Sequence, residues 1–247
     1  MKKVLFFLVL TAGYTTLQAQ GLKGLLKKVT KDTSINQVIS SSKKSTAGLS
    51  NDDIINGLKE ALQKGAETGT QKLSAADGFF KDAAVKILMP AEAQKVEAKL
   101  RSMGLGKLVD NAILSMNRAA EDAAQSAAPI FLNAIKGMTI QDGLGILRGG
   151  DFAATNYLKG KTTSQLTEAF RPAIEKSLQK VDATKYWKTL FTTYNTFSKD
   201  KVNTDLTAYV TERALTGIFY QVGQEEQQIR KDPVARTTDL LRKVFAN

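Results

Sequence analysis

The 247-residue chain has no cysteine and no histidine. Their absence excludes thiol nucleophiles, Ser-His-Asp triads, imidazole proton shuttles and zinc or haem held by histidine. Disulfides are excluded too, so the folded part must be held by its core alone. Without cysteine there is no thioether lipid anchor near the N-terminus. Proline occurs only four times, and Val, Ile and Thr show no sustained period-two alternation, which argues against an all-β fold. At 43% hydrophobic and 24% charged, the composition is that of an ordinary globular protein.

Long apolar runs are also absent after the first nineteen residues. There, Lys2 and Lys3 precede an apolar run from Val4 to Leu10, and Leu17-Gln18-Ala19 ends a small, polar stretch. This is the pattern of a secretory signal peptide, residues 1–19, cleaved after Ala19. The run is too short for a permanent membrane span. The expected product is periplasmic or secreted and not lipid-anchored.

The net charge of +11 is unevenly spread. Residues 20–49 hold six lysines and one aspartate, while 50–247 carry 27 basic and 23 acidic side chains. The domain therefore lacks the electrostatic footprint of a nucleic-acid binder, and no nucleic-acid partner is expected. Within 20–49, Leu22, Leu25, Leu26 and Val29 form a helical stripe. Lys23, Lys27, Lys28 and Lys31 lie largely off it. Such a segment suits either an anionic membrane surface, through residues 21–31, or docking onto its own domain. Thr30 to Ser50 is rich in Ser, Thr and Lys and reads as a linker.

From residue 50 to 247 the chain reads as one all-α domain, an irregular multi-helix bundle with long helices near 105–136 and 204–231. Ser50 and Asp53 form a capping box ahead of Ile54, Ile55, Leu58 and Leu62. Gly65 and Gly69 weaken that helix unless another backbone packs close. Pro90 opens a helix over 91–102. Leu105, Val109, Ala112, Met116, Ala120, Ala123, Ala127 and Ile130 make one long stripe, read as the bundle's central element, kinked or broken by Pro129. Thr139 with Asp142 marks a start, and Gly149-Gly150 a turn. Asp151 is expected to cap 152–158, and Thr162 with Gln165 a further helix kinked near Arg171 by Pro172. Trp187, Leu190, Phe191, Tyr194 and Phe197 share one side and read as core. Asp205 opens the long helix, and Asp232-Pro233 opens a last one to about Phe245.

Four stretches in order resemble one family. They are "LSNDDIINGLKEAL" at 49–62, "MNRAAEDAAQSAAPIF" at 116–131, "ILRGGDFAATNYL" at 146–158 and "EEQQIRKDPVARTTDLLRKVF" at 225–245. Together they resemble exported bacterial proteins grouped only as a domain of unknown function, number four-one-nine-seven. The resemblance spans about 49–246 and implies an all-helical fold in a Gram-negative envelope. It implies no activity, cofactor or catalytic residue.

Candidate chemistry must come from the residues. Ile218, Val222, Glu225 and Ile229 step along one helical face, placing the Glu225 carboxylate in an apolar stripe. Glu226, Arg230, Asp232 and Arg236 are near enough to pair with it. Asn117, Arg118 and Glu121 join this cluster if the two long helices pack together. The cluster is either a ligand site or an ion-pair network locking the last two helices. Carboxylates from facing helices can hold an all-oxygen metal, but no Glu-x-x-His pair exists, the EF-hand pattern is absent, and no metal or cofactor is assigned. The glycine-rich "DGLGILRGGD" at 142–151 lacks the Lys-Ser/Thr of a phosphate loop and reads as helix ends and a turn.

Two functions remain. The first is a non-enzymatic envelope protein that binds a protein, lipid or cell-wall component in a groove between helices. The second is a carboxylate- or metal-dependent hydrolase using Glu121, Glu225 and Glu226 with Arg118 and Arg230. A deep polar pocket around those side chains favours the enzyme, and a dry, fully paired cluster favours a structural role.

Overall fold

The computed structural model describes residues 50–199, 201–232 and 242. The expectations at 1–49, including Lys23, Lys27, Lys28 and Lys31, lie outside them, as do Arg236 and most of the expected last helix. Among the described residues there is no β-strand, and the fold is all-α. The helices are α1 (Asn51–Ser74), α2 (Gln94–Ser102), α3 (Gly106–Ala124) and α4 (Ala127–Lys136), followed by α5 (Ile140–Arg148), α6 (Ala153–Gln179), α7 (Ala183–Phe197) and α8 (Leu206–Lys231).

Local signals set several of these ends. Ser50 and Asp53 close a capping box on α1, with the Ser50 hydroxyl accepting from Asp53 N–H at 3.1 Å. Thr139 and Asp142 do the same for α5. Asp205 caps α8 through Ala208 N–H and reaches Arg171 on α6 at 2.7 Å. Pro90 leads into a 3-10 turn, Ala91–Ala93, and then α2. That helix ends at Gly104, φ +78°, where the Leu105 N–H bonds Leu100 O at 2.9 Å and Gly104 N–H bonds Arg101 O. This paired return is a Schellman turn, and the left-handed backbone favours glycine.

The long stripe at 105–136 is broken, as its proline predicts, into two helices parted at Gln125 and Ser126. The ring of Pro129, in the first turn of α4, would meet the carbonyl four residues back, at Gln125, so the chain turns there. Conversely, the separate helices expected around 152–158 and from Thr162 are one. Leu158, Thr162, Leu166, Phe170, Ile174 and Leu178 step by four and are all buried. That stripe carries α6 across Gly160. The Thr162 hydroxyl bonds Leu158 O inside the helix at 2.6 Å and caps nothing. The helix also continues through Pro172, which is exposed.

Helix α6 packs against α3, α4, α5, α7 and α8, so it shares the centre with α3. The alanines of α3 and α4 (Ala119, Ala120, Ala123, Ala124 and Ala127) are fully buried and let neighbours approach closely. Helix α8 lies against α1. At Gly65 a Cβ would sit 3.4 Å from Glu225 Cβ, and at Gly69 3.3 Å from Gln221 Cγ. The two glycines thus provide room for α8.

Two glycines in α6 and α8 separate helix propensity from packing. Nothing lies within 4 Å of a Cβ at exposed Gly160, whereas at Gly217 it would sit 2.5 Å from buried Phe79. We expect Gly160→Ala to stabilise by roughly 0.5–1 kcal/mol. Gly217→Ala should destabilise by about 1–3 kcal/mol despite the same gain in propensity. Urea unfolding of both variants checks the opposite signs.

Candidate functional site

Three buried polar side chains, Asn117, Glu121 and Glu226, pair with backbone outside their own helices. On α3, Asn117 is fully buried and treats Ile87 as a strand neighbour would. Its Oδ1 accepts from Ile87 N–H and its Nδ2 donates to Ile87 O, both at 2.8 Å. One turn on, Glu121 is 4% exposed, and its Oε1 accepts from Phe79 N–H and Phe80 N–H at 3.1 Å. Its Oε2 meets Arg118 at 2.6 Å, and Arg118 continues to Asp77. Asp77 stands at φ +68°, and Lys81 and Arg118 beside it hold its carboxyl below the usual carboxylate range. That stabilisation is present above the ordinary pKa and is lost as pH falls through the lowered one.

The buried carboxylate of α8 is Glu226, not Glu225. Glu226 is 6% exposed, whereas Glu225 is half-buried and accepts from Gln221 at 3.0 Å. The expected phase was off by one residue, because Gly65 and Gly69 take the Glu225 side chain along the α1–α8 seam. Glu226 accepts from Ala154 N–H at 3.0 Å and from Thr155 N–H and Oγ1 at 2.8 Å. These are the second and third residues of α6, the donors that a capping side chain normally satisfies. Asp151, expected to cap here, is exposed and faces Lys231 instead. Arg230 bonds Glu226 at 2.8 Å and donates to Ile146 O at 2.9 Å.

The expected polar residues therefore fall into two sets. Asn117, Arg118 and Glu121 hold the irregular 77–87 segment, while Glu226 and Arg230 hold the α5–α6 junction. Asp232 is exposed at the end of α8. The cavity beside Glu226 and Arg230 measures only about 20 Å³, space for about one water molecule. Among the described residues, no group of three or more acidic side chains is placed to hold a metal ion. The 142–151 segment is the body and end of α5 with the turn after it.

A far larger opening lies elsewhere among the described residues, between α2, α3 and α7. It is a groove of about 920 Å³, and none of its lining residues among those described is charged. Leu100, Leu108, Val109, Ala112 and Met116 form one wall. Val181, Tyr186, Trp187 and Leu190 form the other. Trp187 is anchored by its indole N–H to Asn203 O at 2.9 Å and by its contacts with Phe191 and Tyr209. The aromatic side of α7 was expected to be core, and Trp187 and Phe191 are, but Leu190 is 38% exposed at the groove. Leu105, placed in the α3 stripe by its spacing, is also exposed. Sequence reasoning missed this groove. Its only trace was that 103–108 and 181–190 place large apolar side chains beside turns.

The family described as "Protein of unknown function (DUF4197)" matches residues 48–246. The chain belongs to this family. Comparison with curated proteins and with solved structures gives no match. The match takes in every element that builds the groove and both polar sets.

The two neighbouring glutamates of α8 give a direct test. Glu226→Ala leaves three donors and Arg230 without this partner and should cost about 3–5 kcal/mol of stability. Glu225→Ala should cost under about 1 kcal/mol. Equal losses in denaturant unfolding would contradict the capping role.

Proposed function

We propose that this member of the DUF4197 family is an exported, non-enzymatic protein that binds the apolar chain of an anionic amphiphile in the α2–α3–α7 groove. The observation that carries the reading is the groove itself. Its volume falls within the usual range for ligand sites, and aliphatic and aromatic side chains line it without a charge. Each methylene buried there contributes about 0.8 kcal/mol. Lysines on the surrounding helices favour a negative headgroup. The Lys2 to Ala19 pattern supports export, and no helix among the described residues is long and apolar enough to cross a membrane.

The hydrolase alternative finds less support. Glu121 and Glu226 direct their oxygens to backbone N–H groups and arginines, and the space beside Glu226 has no room for a substrate. Glu225 lies on a helix seam, bonded by Gln221.

Trp187 is the only tryptophan in the chain and lines the groove. Titration with lysophosphatidylglycerol below its micelle concentration should change its emission saturably. Lengthening the acyl chain should tighten binding about fourfold per methylene until the groove is filled. Ala112→Phe, which narrows the groove, should weaken binding at least about tenfold. An emission change that ignores chain length would sink the reading.

A further inference from the structure

Ten large hydrophobic residues are exposed among those described, and six of them fall in two short stretches. Met103, Leu105 and Leu108 occupy the α2–α3 turn and the start of α3. Val181, Tyr186 and Leu190 occupy the α6–α7 turn and α7. Leu108 is 59% exposed and Tyr186 66%. Four of the six (Leu108, Val181, Tyr186 and Leu190) also line the groove, so the two stretches meet at one mouth. Met103 and Leu105 stand beside the groove without lining it, on the turn fixed by Gly104. A contiguous apolar patch of this kind marks an interaction surface.

Charge tells which surface it fits. Lys99, Lys107, Lys180, Lys185 and Lys188 lie on the same helices and turns and are all exposed. The acidic residues there are fewer. Within 97–110 and 180–190, Glu97 and Asp110 are both held by Arg101, at 2.9 and 2.8 Å, leaving Asp182. Apolar tips on helices and turns that also carry exposed lysines match an anionic bilayer, whose headgroups attract the ammonium groups while the tips enter the acyl boundary. A second copy of the chain fits poorly, because a symmetric contact would set lysines against lysines.

We propose that the mouth formed by 103–108 and 181–190 docks onto an anionic lipid bilayer, so that the groove opens into the layer that supplies its amphiphile. This rests on the reading of the groove as a lipid site. Docking requires no rearrangement of the helical core, since the patch is made of turns and exposed helix faces.

The test is flotation of the full chain with vesicles of phosphatidylglycerol and phosphatidylcholine, against phosphatidylcholine alone. We expect binding only to the anionic vesicles, weakening as salt rises. Met103→Glu with Leu105→Glu should reduce it at least about tenfold, with the Trp187 response to lysophosphatidylglycerol unchanged. That unchanged response shows that the fold and the groove survive. Lys180→Glu with Lys185→Glu and Lys188→Glu should reduce flotation similarly. Ala112→Phe should lose the soluble amphiphile and keep the vesicles, so a failed groove and a failed docking face give different results. Wild-type flotation by the Met103/Leu105 variant would overturn the proposal. So would its complete loss when only Lys23, Lys27, Lys28 and Lys31 are changed to glutamate, which would assign binding to the N-terminal segment. No flotation of the unaltered chain would overturn it too, and leave the face to a protein partner.

Discussion

A peptide N–H removed from water without a partner costs about 1–3 kcal/mol, and this bundle buries several that no helix ladder can satisfy. They lie in the irregular 78–87 segment and at the start of α6. Three side chains from helix interiors meet them: Asn117, Glu121 and Glu226. Each bond fixes a register. Glu226 can reach Ala154 and Thr155 only if α8 stands at one height and one rotation against α6. Asn117 and Glu121 impose the same condition on the loop that crosses α3. A slip by one residue on either helix would turn a satisfied carboxylate into an unpaired buried charge, which is far worse than a lost hydrophobic contact.

The remaining architecture follows from those registers. With α8 placed, its near side faces Gly65 and Gly69, and α1 settles along it. With the start of α6 placed, its stripe from Leu158 to Leu178 runs down the centre and delivers the chain to the α6–α7 turn. There Asp182 stands at φ +52°, and α7 follows with Trp187 inward. The far wall of the groove is thus set by a carboxylate at the opposite end of α6.

Much of this was legible where signal and consequence lie within a few residues. The capping boxes at Ser50 and Thr139 and the helix opening at Pro90 are local chemistry, and the structure places them as their residues demand. The all-helical class followed from periodicity and is what the bundle shows. Signals that act at a distance were not legible. The cap of α6 comes from a residue 71 positions away, so Asp151, the nearest acid, was the natural but mistaken choice. Glu225 and Glu226 differ by about 100° on a helix. Only the approach of α1, permitted by two glycines, decides which one turns inward. The groove was hidden for the related reason that a helical stripe shows which residues are apolar, not whether a neighbour covers them. Leu105 and Leu190 continue stripes in which Val109, Met116, Ala120, Trp187 and Phe191 are buried, yet both are exposed.

The two kinds of site also differ in how firmly they are held, and this bears on what each can do. The glutamate and asparagine anchors sit between the long helices and the segments those helices must hold, where any movement breaks several bonds together. The groove is firm where α3 lines it and lightly held where α2 and α7 do. Helix α2 buries none of its residues and packs chiefly on α3. Helix α7 rests on α6 and α8, with Trp187 stacked on Tyr209 of α8. Elements with few buried contacts open at lower free energy than the core. An apolar chain inserted between α2 and α7 therefore pushes against the weakest parts of the fold, while the hydrogen-bonded anchors stay closed. A site that must admit flexible, variable chains needs this kind of wall. A site that must position a carboxylate for chemistry needs the other kind, and here the firm positions are already bonded to backbone.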